Sequence, residues 1–294
     1  MELWILIAIG AAFLQNVRSA LQKHLKGQLS NSGATFSRFV FAVPLVVLFL
    51  AVLAISGYDL PLPNLRFTSF MALGGVAQII ATALLVYLFG LRNFAVGTTF
   101  SKTETIQAAL FGVIILSDMI SMHALFALGI SLAGVVLIST PNGMRGRVLN
   151  HTSLIGVASG AAFAMSGVSY RAASLALPSG EFLTRATVTL ACVLVFQTII
   201  MAAWLRWRED GQITKVLASW RISAIVGLAG GLASLGWFSA MTLQNAAYVK
   251  AVGQVELLFT FAVSTLIFRE RSSGREITGI ILVSLGILLL LLWR

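Results

Sequence analysis

The sequence predicts an all-α integral membrane protein whose ten transmembrane helices form two inverted five-helix repeats. Three observations carry this prediction: the composition, a succession of long apolar runs, and an internal repeat that includes charged positions. Of the 294 residues, 58% are hydrophobic and only 10% are charged, whereas soluble domains carry about 25% charged residues. The chain is therefore expected to cross a lipid bilayer many times.

Apolar runs of about 20 residues recur along the chain, and each is long enough to span a hydrocarbon core of about 30 Å. The first run lacks the basic start and the cleavage site of a signal peptide, so we interpret it as a retained span. Strands are not expected, because the runs are too long and lack an alternation of period two. The predicted spans are residues 3–23, 33–56, 67–89, 95–116, 122–140, 153–175, 180–205, 221–242, 248–268 and 274–293.

The second half of the chain repeats features of the first half. At an offset of 152 residues, small, amide and acidic positions coincide, in the pairs Gly75 with Gly227, Asn93 with Asn245, Ala95 with Ala247, Glu104 with Glu256, Asp118 with Glu270, and Gly134 with Gly286. Nearby offsets pair Arg18 with Arg171 and Arg38 with Arg185. We therefore predict one five-helix repeat in residues 1–146 and a second in 147–294. Because five is odd, the second repeat enters the membrane inverted, as is common in secondary transporters.

The net charge of +10 is spread over short loops and does not form the patch that nucleic acid would need. The loops after odd-numbered spans carry most of it, at Lys26, Arg92, Arg145, Arg147, Arg206, Arg208, Lys215, Arg269, Arg271 and Arg275. The positive-inside rule places these loops in the cytoplasm and both termini outside.

Neither metal chemistry nor covalent catalysis is indicated. The single cysteine, Cys192, lies in an apolar run, and the three histidines lack metal-ligand spacing. A membrane-embedded transferase would need clustered acids or an activated nucleophile, and the sequence offers no such cluster. We expect no metal, no cofactor and no enzymatic activity.

Three motifs occur once in each half. An arginine stands early in the second helix ("FSRF" at 36–39 and "FLTRA" at 182–186), an acid closes the fourth ("LSDMIS" at 116–121 and "FRERSS" at 268–273), and glycines punctuate the fifth ("LGISLAGVVLI" at 128–138 and "TGIILVSLGILL" at 278–289). With these motifs the whole chain resembles the drug/metabolite transporter superfamily, and in particular proteins with two EamA-type repeats.

The resemblance implies a carrier, and it favours export. Relatives move amino acids and their derivatives, quaternary amines, nucleotide sugars and sugar phosphates, and they are usually drawn with both termini in the cytoplasm, against the loop charges. The chain departs from the family in one respect: neither fourth helix, "TIQAALFGVII" or "LLFTFAVSTLI", has a central proline. This absence puts a kink there in doubt, and we expect Pro44 to bend span 2 instead.

Ionisable residues within spans are costly, usually face a bundle interior, and mark functional sites. The candidates for substrate binding or coupling are Arg18, Arg38, Gln78, Tyr87, Lys102, Glu104, Arg185, Trp237, Gln254 and Glu256. We expect Glu104 to face Arg38 or the surroundings of Lys102, and Glu256 to face Arg185. The structural alternative is that Arg38 and Arg185 only extend to the membrane surface or cap loops. Lys250 is expected at the membrane interface. Asp118 and Glu270, at helix–loop boundaries, are expected to serve the orientation or the fold of the chain.

These residues suggest secondary active transport of a small polar metabolite, such as an amino acid or derivative, by alternating access at a site between the repeats. Glu104 and Glu256 are candidates for proton exchange or for holding an ammonium, and Lys102, Arg38 and Arg185 for a carboxylate or phosphate. An organic anion or an amine-like drug remains the alternative substrate. The expected location is a bacterial inner membrane; the expected partners are the substrate, protons and lipid, without nucleic acid, and a monomer would suffice.

Overall fold

The computed structural model of the 294-residue chain describes residues 2–25, 28–91, 101–139, 151–259 and 273–292. All regular elements in these ranges are α-helices, as predicted. They are α1 (Leu3–Leu25), α2 (Asn31–Val40), α3 (Val43–Ile55), α4 (Leu65–Leu91), α5 (Glu104–Leu116), α6 (Met122–Ser139), α7 (His151–Ala176), α8 (Phe182–Arg208), α9 (Gln212–Ala218), α10 (Trp220–Leu243), α11 (Ala246–Gly253) and α12 (Gly274–Leu292).

Helices long and apolar enough to cross a membrane appear throughout the described part of the chain. Five segments qualify by length and hydropathy: Leu3–Gln22, Asn31–Ile55, Leu65–Leu88, Phe182–Arg208 and Trp220–Leu243. Shorter apolar helices cover Glu104–Leu116, Met122–Leu137 and Ile277–Leu292. Large apolar side chains point outward from these helices, among them Leu48, Ile114 and Ile199, as expected for surfaces in contact with lipid.

The helices pack in partnerships that join the two halves of the chain. The most extensive contacts run between α4 and α7, between α6 and α12, and between α1 and α10. Further contacts join α5 to α7 and α11, α1 to α11, and α8 to α2, α3 and α4. Each half therefore buries its helices largely against the other half.

Glycines set the closest of these approaches. A Cβ built on Gly134 in α6 would lie 2.5 Å from the carbonyl oxygen of Gly279 and 2.7 Å from the amide nitrogen of Val283 in α12. One built on Gly286 would lie 2.7 Å from the amide nitrogen of Ser131. Backbones at this distance have no room for a side chain, so these glycines determine how α6 and α12 meet.

The second predicted span, which Pro44 is expected to bend, is divided into two helices. Helix α2 ends at Val40, and α3 begins at Val43 with Pro44 in its first turn. Backbone N–H groups in the first turn of a helix have no partner within the helix, so a proline there costs no hydrogen bond. At the break, Phe41 packs against Gly227 of α10, which leaves no space for a Cβ on that glycine. The break therefore fits the loop-like segment directly against a neighbouring helix.

Some predicted features lie outside the described residues. They are Lys26, Arg92, Asn93, Ala95, Arg145, Arg147, Arg269, Glu270 and Arg271. Of the two acids predicted to close the fourth helix of each half, the structure describes Asp118.

Candidate functional site

Six ionisable side chains lie together in the protein interior. They are Arg18 in α1, Arg38 in α2, Lys102 and Glu104 at the start of α5, Lys250 in α11 and Glu256 just beyond it. None of the six residues is more than 9% exposed. Arg18 and Lys102 interact electrostatically with both glutamates, and Lys250 interacts with Glu104. Arg38 is close enough to Arg18 and Lys250 for their positive charges to repel one another. The site is thus a closed cluster of four cations and two carboxylates.

Two ion pairs cross between the halves of the chain. Lys102 Nζ lies 2.7 Å from Glu256 Oε2, and Lys250 Nζ lies 3.6 Å from Glu104 Oε1. A lysine from each half therefore holds a carboxylate from the other half. Removing one partner from such a buried pair costs about 3–5 kcal/mol, because the remaining charge stays buried without compensation.

These pairings differ from the predicted ones. Glu104 is paired with Lys250 and not with Arg38, although Lys102 is near enough to Glu104 to interact electrostatically. Glu256 is paired with Lys102 and not with Arg185. Lys250 was expected at the membrane interface, but it is buried. The physical reason is that α5 packs against α11, a long-range contact that depth along a span does not encode.

Two turns of the chain lie at the cluster. Lys102 and Thr103 form a turn before α5, and Gln254 forms a turn that separates α11 from a helical segment at 255–259. The amide of Thr105 donates to the carbonyl of Lys102 (3.3 Å), and the amide of Leu257 donates to that of Gln254 (2.9 Å), so both turns tighten locally to a 3₁₀ pattern. Residues 102 and 254 are equivalent under the 152-residue offset.

Polar side chains rather than prolines accompany these turns. Gln254 Nε2 donates to Thr105 Oγ1 at 2.8 Å, and the hydroxyl of Ser131 donates to Gln254 Oε1. Gly160 of α7 lies against the first turn, since a Cβ there would be 2.8 Å from Thr103 Oγ1. The two turns therefore form without the central proline common in the family, and Gln254 contacts residues of the neighbouring helices α5 and α6.

Trp237 faces a cation of the protein itself. Lys250 Nζ lies 4.7 Å from the centre of the Trp237 ring. The indole Nε1 donates to Gln15 Oε1 at 3.0 Å, and Gly253 packs against the ring edge. Lys250 is thereby held between the face of an indole and the carboxylate of Glu104.

A network of neutral polar groups adjoins Arg38. Tyr170 donates its hydroxyl hydrogen to Gln78 Oε1 at 2.9 Å, and Gln197 Nε2 lies 3.0 Å from Gln78 Oε1 and 3.2 Å from Tyr170 Oη. Gln78 was a predicted site residue, whereas Tyr170 and Gln197 were not singled out. A glutamine within an apolar span is the signal that could have identified Gln197.

Two predicted residues lie away from the cluster. Arg185, in the first turn of α8, donates from Nε to the carbonyl of Ser179 at 3.2 Å, as the loop-capping alternative proposed. Tyr87 is 39% exposed on the outer surface. In both cases the helix is the predicted one, but the face that carries the side chain could not be read from a nearly uniform apolar pattern.

A second polar contact lies where α5 and α10 end. Arg171 Nη1 donates to the carbonyl oxygens of Met241 (2.7 Å) and Gln244 (2.8 Å), and its Nε lies 3.8 Å from Asp118 Oδ2. These contacts satisfy carbonyls at a helix terminus and fit the expectation that Asp118 serves the fold.

No three metal-ligating side chains cluster within the described residues. A surface cleft of about 440 Å³, lined by Gln28 and residues 218–222, lies apart from the six charges. The charged cluster is therefore the candidate site on chemical grounds.

Comparisons with known proteins place this architecture in a family. No functionally curated protein matches the chain. A protein known from a crystal structure superposes with a TM-score of 0.72 at 15% identity, covering 98% of this chain and 96% of the other, which shows a shared fold. The model of the EamA-like transporter family matches twice, over residues 2–140 and 152–292. Because these matches span nearly the whole sequence, the chain is a multi-pass membrane protein that belongs to the EamA-like transporter family.

Proposed function

We propose that this chain is a secondary active transporter that moves a small polar metabolite, such as an amino acid or derivative, across a bacterial inner membrane by alternating access. The observation that carries the proposal is the pair of crossed ion pairs, Lys102–Glu256 and Lys250–Glu104, at 2.7 and 3.6 Å. Both connect the halves of the chain at the two turns, and transporters of this kind typically bind their substrates at discontinuous helices between the repeats.

The proposal includes ten spans in two inverted repeats, residues 1–146 and 147–294. The helix contacts support it, because they keep their pattern when the halves are exchanged. With α2 and α3 counted as one span, the contact of α4 with α7 corresponds to that of α10 with α1, and the contact of α5 with α7 to that of α11 with α1. The contacts of α5 with α11 and of α6 with α12 each map onto themselves.

The ion pairs suggest how substrate and conformation are coupled. A rocking motion between the halves must separate each lysine from its carboxylate, and an unpaired buried charge costs several kcal/mol. A substrate whose ammonium and acid groups replace the lost partners offsets that cost in the intermediate. Protonation of Glu104 or Glu256 would offset it as well, so proton exchange and substrate binding can use the same carboxylates.

The test is counterflow in proteoliposomes loaded with leucine, glutamate, succinate or choline. Trace label should accumulate transiently against an excess of the same unlabelled solute for at least one of these probes. Glu256→Gln and Lys102→Met should reduce the counterflow rate roughly 10-fold or more, since each leaves a buried charge without its partner. Arg206→Gln is the matched control, because it breaks an ion pair whose side chains are 81% and 86% exposed.

Two results would contradict the proposal. One is normal transport by both Glu104→Gln and Glu256→Gln at every pH, which would remove the coupling role. The other is flux that is not stimulated by solute on the opposite side, which would indicate a passive channel.

A further inference from the structure

Two of the four buried cations have no counter-ion among the described residues. Each lysine of the cluster lies within 4.0 Å of a carboxylate oxygen, whereas Arg18 and Arg38 do not. Arg38 donates from Nη1 to Thr82 Oγ1 at 2.9 Å, and Arg18 donates from Nη2 to Ser19 Oγ at 3.2 Å. The Nε of Arg18 is buried and has no hydrogen-bond acceptor in the described part of the chain.

The two arginines converge on one point of α10. A Cβ built on Gly230 would lie 3.2 Å from Arg18 Cδ and 3.4 Å from Arg38 Cγ. Their charges repel each other, and both residues are at most 4% exposed. Two like charges held together away from water are costly unless an anion joins them.

The charge balance of the cluster also indicates that the two arginines need an anion. Among the described residues, Glu104 and Glu256 form their ion pairs with Lys250 and Lys102. The four cations of the cluster thus exceed its two described carboxylates by two charges, and the two arginines are the cations without a carboxylate oxygen within 4.0 Å. Hydroxyl groups of Ser19 and Thr82 touch the guanidinium groups but carry no charge. A neutral or cationic substrate would leave the excess in place, whereas a carboxylate or phosphate would remove it.

We propose that Arg18 and Arg38, whose side chains both lie against Gly230, bind the acid group of the transported substrate, and that this substrate is an organic anion. A guanidinium matches a carboxylate or phosphate in a planar, two-hydrogen-bond geometry, and two of them can hold one acid group between them. This inference rests on the proposed transport function and narrows its substrate class from polar metabolites to organic acids and phosphate esters.

Gly230 offers a way to test the site without removing its charges. Gly230→Ala would place a methyl group in tight contact with both arginine stems and displace them by a few tenths of an ångström. Gly231→Ala is the matched control on the same helix, because its Cβ would instead meet Leu45 Cδ2 at 3.1 Å and Ala42 Cβ at 3.3 Å. Arg38→Lys keeps the positive charge but loses the planar fork.

The experiment measures thermal stability and counterflow of the full chain with succinate, inorganic phosphate, leucine and choline, at constant ionic strength. Succinate or phosphate should raise the melting temperature of the wild-type protein, and an organic anion should be the better counterflow substrate. Arg18→Gln and Arg38→Gln should raise the half-saturating anion concentration roughly 10- to 100-fold, as expected for loss of a charge-assisted hydrogen bond. Gly230→Ala should weaken anion binding more than Gly231→Ala, and Arg38→Lys should bind with intermediate strength.

The outcomes separate this inference from the transport function. Counterflow of leucine or choline alone, unchanged in both arginine variants, would overturn the anion site and leave the transporter intact. Stabilisation by succinate or phosphate without counterflow of any solute would support the site and contradict transport. Repeating the melts in phosphatidylcholine and in phosphatidylglycerol distinguishes lipid from solute: stabilisation by the anionic lipid alone would assign the arginines to a headgroup and overturn the proposal.

Discussion

At the scale of single residues, the best-defined contact of the site is the ion pair between Lys102 and Glu256. Its side chains are 7% and 8% exposed and its atoms 2.7 Å apart. Two charges in such a position add little net stability compared with apolar residues, but breaking the pair is expensive. Selection for stability therefore does not account for the pair, whereas a conformational role does.

A charge exchange tests this pair directly. Lys102→Glu alone should abolish transport and lower the melting temperature, because it sets two carboxylates against each other within the buried cluster. The double variant Lys102→Glu with Glu256→Lys should recover much of the stability, with a coupling free energy of about 1–3 kcal/mol in a double-mutant cycle. The same exchange at Arg206 and Asp210, on the surface, should show almost no coupling.

At the scale of helices, close packing of α6 against α12 depends on Gly134, whose absent side chain admits the backbone of Gly279 and Val283. Gly134→Ala should separate the two helices and reduce the free energy of unfolding by about 1–3 kcal/mol, as is typical of overpacking. A lower melting temperature would report this loss of stability. Gly129→Ala, on the same helix, has nothing within 4 Å of its new methyl group and should be neutral or slightly stabilising. Equal changes in stability for the two variants would show that the contact of Gly134 with α12 does not determine the effect.

Helix positions could be predicted from the sequence, since runs of about 20 apolar residues depend only on local composition. A bend in span 2 could also be predicted, because Pro44 constrains its own backbone. The turns at Lys102 and Gln254 could not: neither contains proline, and both are accompanied by contacts with Gly160, Thr105 and Ser131. Such contacts depend on tertiary packing, which a single sequence shows only indirectly.

The site could also be predicted only in part. Charged residues within an apolar run are costly in a bilayer and usually face the protein interior. For this reason the sequence identified as buried Arg18, Arg38, Lys102, Glu104 and Glu256. The partners were not predictable, since Lys250 and Glu104 are joined by the packing of helices far apart in sequence. Their depths along two spans restrict, but do not determine, which side chains meet.

At the scale of the whole molecule, orientation in the membrane is where two predictions conflict. Loop charges place both termini outside, whereas the family resemblance places them in the cytoplasm. The structure adds an aromatic and basic cluster where α8 ends and α10 begins. Trp204, Trp207 and Trp220 are 45%, 72% and 57% exposed, and the guanidinium of Arg208 lies 4.1 Å from the centre of the Trp207 ring.

Tryptophan and arginine of this kind anchor a protein at the membrane interface, and arginine favours the cytoplasmic side. The α8–α10 end should therefore face the cytoplasm, with Lys215 accessible there. A cysteine replacing Lys215, in a Cys192→Ala background, should react with an impermeant maleimide only after the cells are opened, and a C-terminal alkaline phosphatase fusion should be active. Labelling of the Lys215→Cys variant in intact cells, together with a fluorescent C-terminal green fluorescent protein fusion, would instead establish cytoplasmic termini. The basic loops would then lie on the side that the positive-inside rule disfavours, and some other property of the chain would have to determine its orientation.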